Sequence, residues 1–211
     1  MSKRAILLDL DGTLVDTTHL YREAYAAALG EWGITLTPEQ FAELYSSGLY
    51  LSEWLAHLGG NPENEKVIRA RRDDLYVAAL EKRSAWCDGA EVFLTTIAAK
   101  GPTGIVTGSW RRYVDAIDTR LRLRDRVDTI IDADDTHPHH KPEPEGLLRA
   151  AHELDVDPAH CIYIGDQPFD LEAAKRAGMQ SILIVGPHTP PLLAATSPCV
   201  CLSLNEILTQ L

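Results

Sequence analysis

The feature that most constrains this chain is a series of short, almost wholly apolar runs at 4–9, 103–106, 127–131, 161–164 and 181–185. A strand without polar alternation is covered on both faces, which is the condition of an inner strand of a parallel sheet. Parallel neighbours need crossovers of a dozen or more residues. Helical patterns of suitable length lie at 91–99, 110–120, 144–154 and 169–177. The alternation predicts an α/β fold with a mostly parallel sheet. A sixth short strand is expected at 199–202 and a closing helix at 204–211.

The first strand does not lead directly into this alternation. Residues 16–87 read as helices alone. Leu20, Ala24, Ala27, Ala28 and Leu29 mark one helical face, and Pro38 opens a second helix reaching Leu44. Leu51, Leu55 and Leu58 mark a third, and Asn61-Pro62 opens a fourth whose apolar positions are Val67, Ala70, Leu75, Ala78 and Ala79. Roughly 70 residues of helix exceed a single crossover. The expected organisation is therefore a core from 1–15 and 88–211, with 16–87 inserted as a helical domain. Open parallel sheets hold ligands beyond the carboxyl ends of their strands, so an insertion leaving the first strand there is expected to act as a lid.

Composition narrows the partners. With 20 basic against 31 acidic residues the formal charge is −11, which suits neither nucleic acid nor any other polyanion held by general attraction. No stretch approaches the length of a membrane span, and the apolar run near the N-terminus is shorter than a secretory signal, so a cytoplasmic, soluble protein without a membrane partner is expected. Cys87, Cys161, Cys199 and Cys201 lack metal-finger spacing and read as inert thiols.

Chemistry gathers at the strand ends. The first apolar run ends in Asp9-Leu10-Asp11-Gly12-Thr13, where two carboxylates emerge at a ligand-binding edge and need a cation or a proton between them. The fourth ends in Gly165-Asp166-Gln167-Pro168-Phe169-Asp170. A shared sheet can bring Asp166 to Asp9, and Asp170 either joins them or caps the next helix. Converging carboxylate oxygens suit a hard cation such as Mg²⁺. Thr107-Gly108-Ser109 follows the second core strand and offers a hydroxyl and backbone N–H groups to an anion, or an ordinary helix cap. Lys141 is stiffened by Pro142 and Pro144 and can hold a nucleophile and offset phosphate charge. His137, His139 and His140 in the same loop read as solvated, with a zinc site as the lesser reading.

The ordered set DLDGTLVDT at 9–17, IVTGS at 105–109, HKPEP at 140–144 and YIGDQPFD at 163–170 resembles the haloacid dehalogenase-like hydrolase superfamily. Within it the chain is similar to the phosphoglycolate phosphatase and β-phosphoglucomutase-like branch. The resemblance spans essentially the whole sequence. It implies a Rossmann-like three-layer α/β/α core, an inserted helical cap, and Mg²⁺-dependent hydrolysis of a small phosphate monoester through an aspartyl-phosphate. By position it makes Asp9 the nucleophile and Asp11 the general acid and base. Thr107, Gly108 and Lys141 become phosphate-binding groups. Asp9, the Asp11 carbonyl and Asp166 become metal ligands, with Asp170 in support.

The implied substrate is a small phosphorylated metabolite of the phosphoglycolate or sugar phosphate type, acted on by a monomer or homodimer. Cap residues that could touch the leaving group are Tyr21, Tyr45, Ser46, Gly48, Tyr50 and Trp54. Two alternatives stand beside hydrolysis. The β-phosphoglucomutase family has a histidine twelve positions after the nucleophile, where this chain has Tyr21, with His19 two positions away. A non-enzymatic phospho-accepting or interaction module on the same fold would hold similar acids without turnover.

Overall fold

A computed structural model describes residues 4–47, 49–186 and 189–210, except for the side chain of Ser46. Two candidate cap positions, Gly48 and the Ser46 side chain, lie outside what is described. The chain forms two compact units, Met1–Asp16 with Ala85–Leu211, and Thr17–Ser84.

The first unit begins with β1 (Ala5–Leu8), and the second unit follows with α1 (Thr18–Gly30), α2 (Pro38–Ser47), α3 (Leu51–His57) and α4 (Glu65–Arg83). The first unit then resumes with α5 (Ala90–Ala98), β2 (Thr103–Val106), α6 (Arg111–Leu121), β3 (Thr129–Ile131) and α7 (Ala133–Thr136). It continues through α8 (Glu145–Glu153), β4 (Cys161–Gly165), α9 (Pro168–Arg176) and β5 (Gln180–Ile184). It ends with α10 (Pro191–Thr196), β6 (Val200–Cys201) and α11 (Leu204–Leu208). The six strands make one parallel sheet in the order β3-β2-β1-β4-β5-β6, flanked by helices. The short helices α7 and α10 were not expected from the sequence. Four residues and six are too few to show a helical period.

β1 is buried along its whole length, as its unbroken apolar run requires. One face of the sheet packs Ala5, Leu7, Val106, Ile131 and Tyr163 against Leu147, Ala150 and Ala151 of α8, Ala173 and Ala174 of α9, and Ala177 just after it. Each fully buried leucine of this kind contributes about 1.5–3 kcal/mol. Gly104 admits this packing, since a Cβ there would lie 2.8 Å from Thr129 Cγ2 and 2.9 Å from Leu7 Cδ2. The chain leaves β1 to one side for β2 and β3, then crosses to β4 on the other. That reversal makes the C-terminal ends of β1 and β4 the switch point of the sheet. The register sets Leu8 against Ile105 and Ile164, and the Asp9 N–H donates to the Ile164 carbonyl at 2.9 Å.

The helical unit has its own core, with Tyr25, Ala28, Leu29, Phe41, Leu44, Trp54, Leu55 and Ile68 among its members. Thr37 and Gln40 form a reciprocal cap at the start of α2: the Thr37 N–H donates to Gln40 Oε1 at 2.9 Å and the Gln40 N–H to Thr37 Oγ1 at 3.2 Å. The expected apolar face of α4 is corrected. Val67 and Ala70 are exposed, and the inward face is Ile68, Arg72, Tyr76 and Leu80. The Arg72 guanidinium lies over the rings of Tyr21 at 4.7 Å and Tyr25 at 4.4 Å, with Nε 2.7 Å from Asp73. Aromatic faces accept a buried guanidinium, and a hydropathy pattern cannot anticipate it. Among the described residues no helix is long and apolar enough to cross a membrane.

Candidate active site

The turn after β1 is fixed by its own backbone. Leu14 and Val15 N–H groups both donate to the Leu10 carbonyl at 2.9 Å, and the Gly12 N–H donates to Val15 at 2.9 Å. Gly12 has φ +81°, which favours glycine, and a Cβ there would come within 3.1 Å of Asp166 Oδ2. The turn from β1 and the end of β4 therefore meet tightly, although 156 positions separate Asp9 from Asp166.

Asp9, Asp166 and Asp170 are buried, and one carboxylate oxygen of each lies within 4.8 Å of the others. Lys141 enters this group with Nζ 2.6 Å from Asp9 Oδ1 and 2.6 Å from Asp170 Oδ1. It also donates to the Tyr163 hydroxyl at 2.9 Å, and that hydroxyl donates to the Val106 carbonyl at 2.8 Å. The two readings of Asp170 hold together: Oδ2 accepts the Gln167 N–H at 3.0 Å and caps α9, while Oδ1 takes Lys141. Asp166 accepts from Gln167 Nε2 at 2.5 Å and from Thr13 Oγ1 at 3.4 Å.

Asp11 points to a different set of groups. Ser109 Oγ donates to its Oδ2 at 2.6 Å and Thr107 Oγ1 at 3.3 Å, while the Ser109 N–H donates to Thr107 Oγ1 at 3.0 Å. Neither hydroxyl caps the following helix. Trp110 occupies the N-cap of α6, and Asp134 Oδ2 accepts the Arg111 N–H at 2.7 Å. Gly108 lies within the same turn, with open space where a side chain would project.

Electrostatics follow from one ammonium among several buried carboxylates. Burial raises the Asp9 carboxyl well above the usual range. Lys141 opposes this, and Asp170, Asp166 and Asp11 add to it. Burial, then Asp170, pushes Asp166 up to about 6 against the pull of Gln167, Lys141 and Thr13. Burial works against the charge on Lys141, but Asp170 and Asp9 outweigh it and hold the ammonium well above its ordinary range. An all-oxygen donor set carrying more negative charge than Lys141 offsets fits a hard divalent cation, which would reverse the carboxylate shifts.

Sequence reasoning passed over Tyr163. Its signal was a phenol in an otherwise aliphatic buried strand, where the hydroxyl must find a partner. Of the described candidates for leaving-group contact, Trp54 is buried in the helical core and Tyr50 is exposed. Tyr21 and Tyr45 belong to an aromatic cluster, Tyr21 lying 5.0 Å from both Tyr25 and Tyr76.

Residues 6–184 match the sequence profile of the family described as Haloacid dehalogenase-like hydrolase. The chain is 28% identical over 191 residues to the fructose-1-phosphate phosphatase YqaB of Escherichia coli K12, covering 84% of this chain and 94% of that protein. It is 33% identical over 183 residues to a phosphoglycolate phosphatase of Xanthomonas campestris pv. campestris, covering 85% and 81%. The crystal structure of CbbY from Rhodobacter sphaeroides in complex with phosphate superposes with a TM-score of 0.80 at 25% identity, covering 97% of this chain and 96% of that one. With its acids gathered at the switch point of a parallel sheet and the family profile matched from β1 to β5, the chain belongs to the haloacid dehalogenase-like hydrolases and is a phosphatase.

Proposed function

We propose that the protein hydrolyses a small phosphate monoester, of the phosphoglycolate or sugar phosphate type, through an aspartyl-phosphate on Asp9 with Mg²⁺ as cofactor. The observation that carries this reading is Lys141 clamped between Asp9 and Asp170 beside Asp166 at the switch point. The α/β unit is the catalytic domain and the helical unit the substrate-selecting one. Asp9, Asp166 and the Asp11 carbonyl would hold the Mg²⁺, supported by Asp170. When bound it neutralises charge on the phosphoryl oxygens.

Lys141 fixes Asp9 Oδ1, so Oδ2 is the atom that attacks phosphorus. The Oδ2–P bond forms as the bond from phosphorus to the leaving oxygen breaks. Asp11, oriented by Ser109 and Thr107, gives its proton to the departing alkoxide and becomes the base that takes a proton from the attacking water. Water oxygen then bonds to phosphorus, the Asp9–P bond breaks, and inorganic phosphate leaves with Asp9 regenerated. The Lys141 ammonium, with Thr107 and Gly108 as the phosphate-binding turn, would stabilise the charge that spreads over the equatorial oxygens in both steps.

The test is phosphate release from a panel of phosphorylated metabolites with Mg²⁺ and with EDTA, ranked by kcat/KM. Turnover with Mg²⁺, lost with EDTA and in Asp9→Asn, is expected. Substantial Mg²⁺-dependent turnover by Asp9→Asn rejects Asp9 as the nucleophile.

A further inference from the structure

The histidines of the loop before Lys141 take no part in this chemistry, and two of them face each other. His137 Nδ1 lies 3.4 Å from His140 Nε2. That is at the long limit of a hydrogen bond between nitrogens, so the two rings hold one another only weakly. Two imidazole nitrogens each about 2.0–2.1 Å from a tetrahedral ion are themselves about 3.3–3.4 Å apart, so the gap is the size that one such ion fills.

The rings are also oriented for this. Thr136 Oγ1 stands 3.4 Å from His140 Nδ1, the other nitrogen of that ring. A proton on Nδ1 pointing to the hydroxyl leaves the Nε2 lone pair facing His137, which is how an outer partner sets a metal-binding tautomer. Trp110 packs on both rings, at 5.8 Å from His137 and 5.6 Å from His140, and limits their rotation. The loop start is pinned at the end of α7, where the His137 N–H donates to the Ala133 carbonyl at 2.9 Å. His139 turns elsewhere, with Nδ1 4.0 Å from Glu145.

We infer that His137 Nδ1 and His140 Nε2 form a binding site for one nitrogen-preferring divalent transition-metal ion, of the Zn²⁺ and Cu²⁺ class, completed by water. It differs in kind from the oxygen cluster of Asp9, Asp166 and Asp170. Imidazole selects late first-row ions, and carboxylate oxygens select Mg²⁺.

The experiment is calorimetric titration of the intact, metal-stripped protein with Zn²⁺ in saturating Mg²⁺. One binding event in the parent is expected, weakened at least about tenfold in His137→Ala and in His140→Ala and unchanged in His139→Ala. His137→Ala should keep the parent's Mg²⁺-dependent phosphatase rate, which shows that the variant is folded. Cu²⁺ should quench tryptophan fluorescence in the parent and much less in Trp110→Phe. Absence of a Zn²⁺ event in the parent overturns the site. So does an event of equal affinity in both histidine variants, which places the ion at the carboxylates, or Cu²⁺ quenching that is indifferent to Trp110.

Discussion

Lys141 holds its charge between two carboxylates, each at 2.6 Å, with a phenol completing its third bond at 2.9 Å. Replacing Tyr163 by Phe removes the hydroxyl that accepts from Lys141 and donates to the Val106 carbonyl, leaving that carbonyl only the longer 3.4 Å contact from Lys141 Nζ. That costs about 1–3 kcal/mol of stability, measurable by urea unfolding. Both carboxylates still hold Lys141, so kcat should fall by less than about tenfold, whereas Lys141→Ala should lose far more. Asp11 is tied to Ser109 and Thr107 and stands apart from the lysine clamp. If it moves the leaving-group proton, Asp11→Asn slows alkyl phosphate hydrolysis by on the order of 10²–10⁴. The loss should be smaller for p-nitrophenyl phosphate, whose leaving group needs no proton, and equal losses would remove that role. The residue types and their order along the chain were readable beforehand. Which oxygen of Asp170 caps a helix and which meets Lys141 was not, because a carboxylate can do either and only the packed neighbours choose.

At the level of elements, the sheet works because β1 and β4 end together and their loops turn over one another. Gly165 closes β4 at a point where a Cβ would lie 2.5 Å from Asp170 Cγ and Oδ2. Gly165→Ala must therefore push the first turn of α9 away from Lys141. A loss of about 1–3 kcal/mol in stability is expected from the overpacking, with kcat falling more steeply than the melting temperature suggests. A variant of full activity would show that Asp170 has slack. Strands β1, β2 and β4 were legible because a run buried on both faces contains almost no polar residue to blur its limits. The α4 face was misread because its inward positions include Arg72, whose charge is accommodated by Tyr21 and Tyr25 on another helix. No window of one helix contains that information.

For the molecule as a whole, the acid cluster makes stability depend on pH. The folded-state pKa of Asp166, about 6, lies above its ordinary value of 3.8. Between these values the native state holds a proton that the unfolded chain has released, so this group costs stability as pH rises through that window and the cost is complete above it. A bound divalent ion relieves the cost. Mg²⁺ at about a hundred times its Kd should raise the melting temperature at pH 7.5 by roughly 5–10 °C, and by clearly less at pH 5, where a proton competes. Equal shifts at both pH values would contradict Asp166 as a ligand. By itself the amino-acid order determined the strand and helix alternation and the kinds of group available at the strand ends. These depend on local periodicity and residue chemistry. The tertiary structure alone decided that Tyr163 braces Lys141, that Ser109 turns to Asp11 instead of capping α6, and that His137 faces His140. Each of these depends on distances between segments that no local pattern encodes.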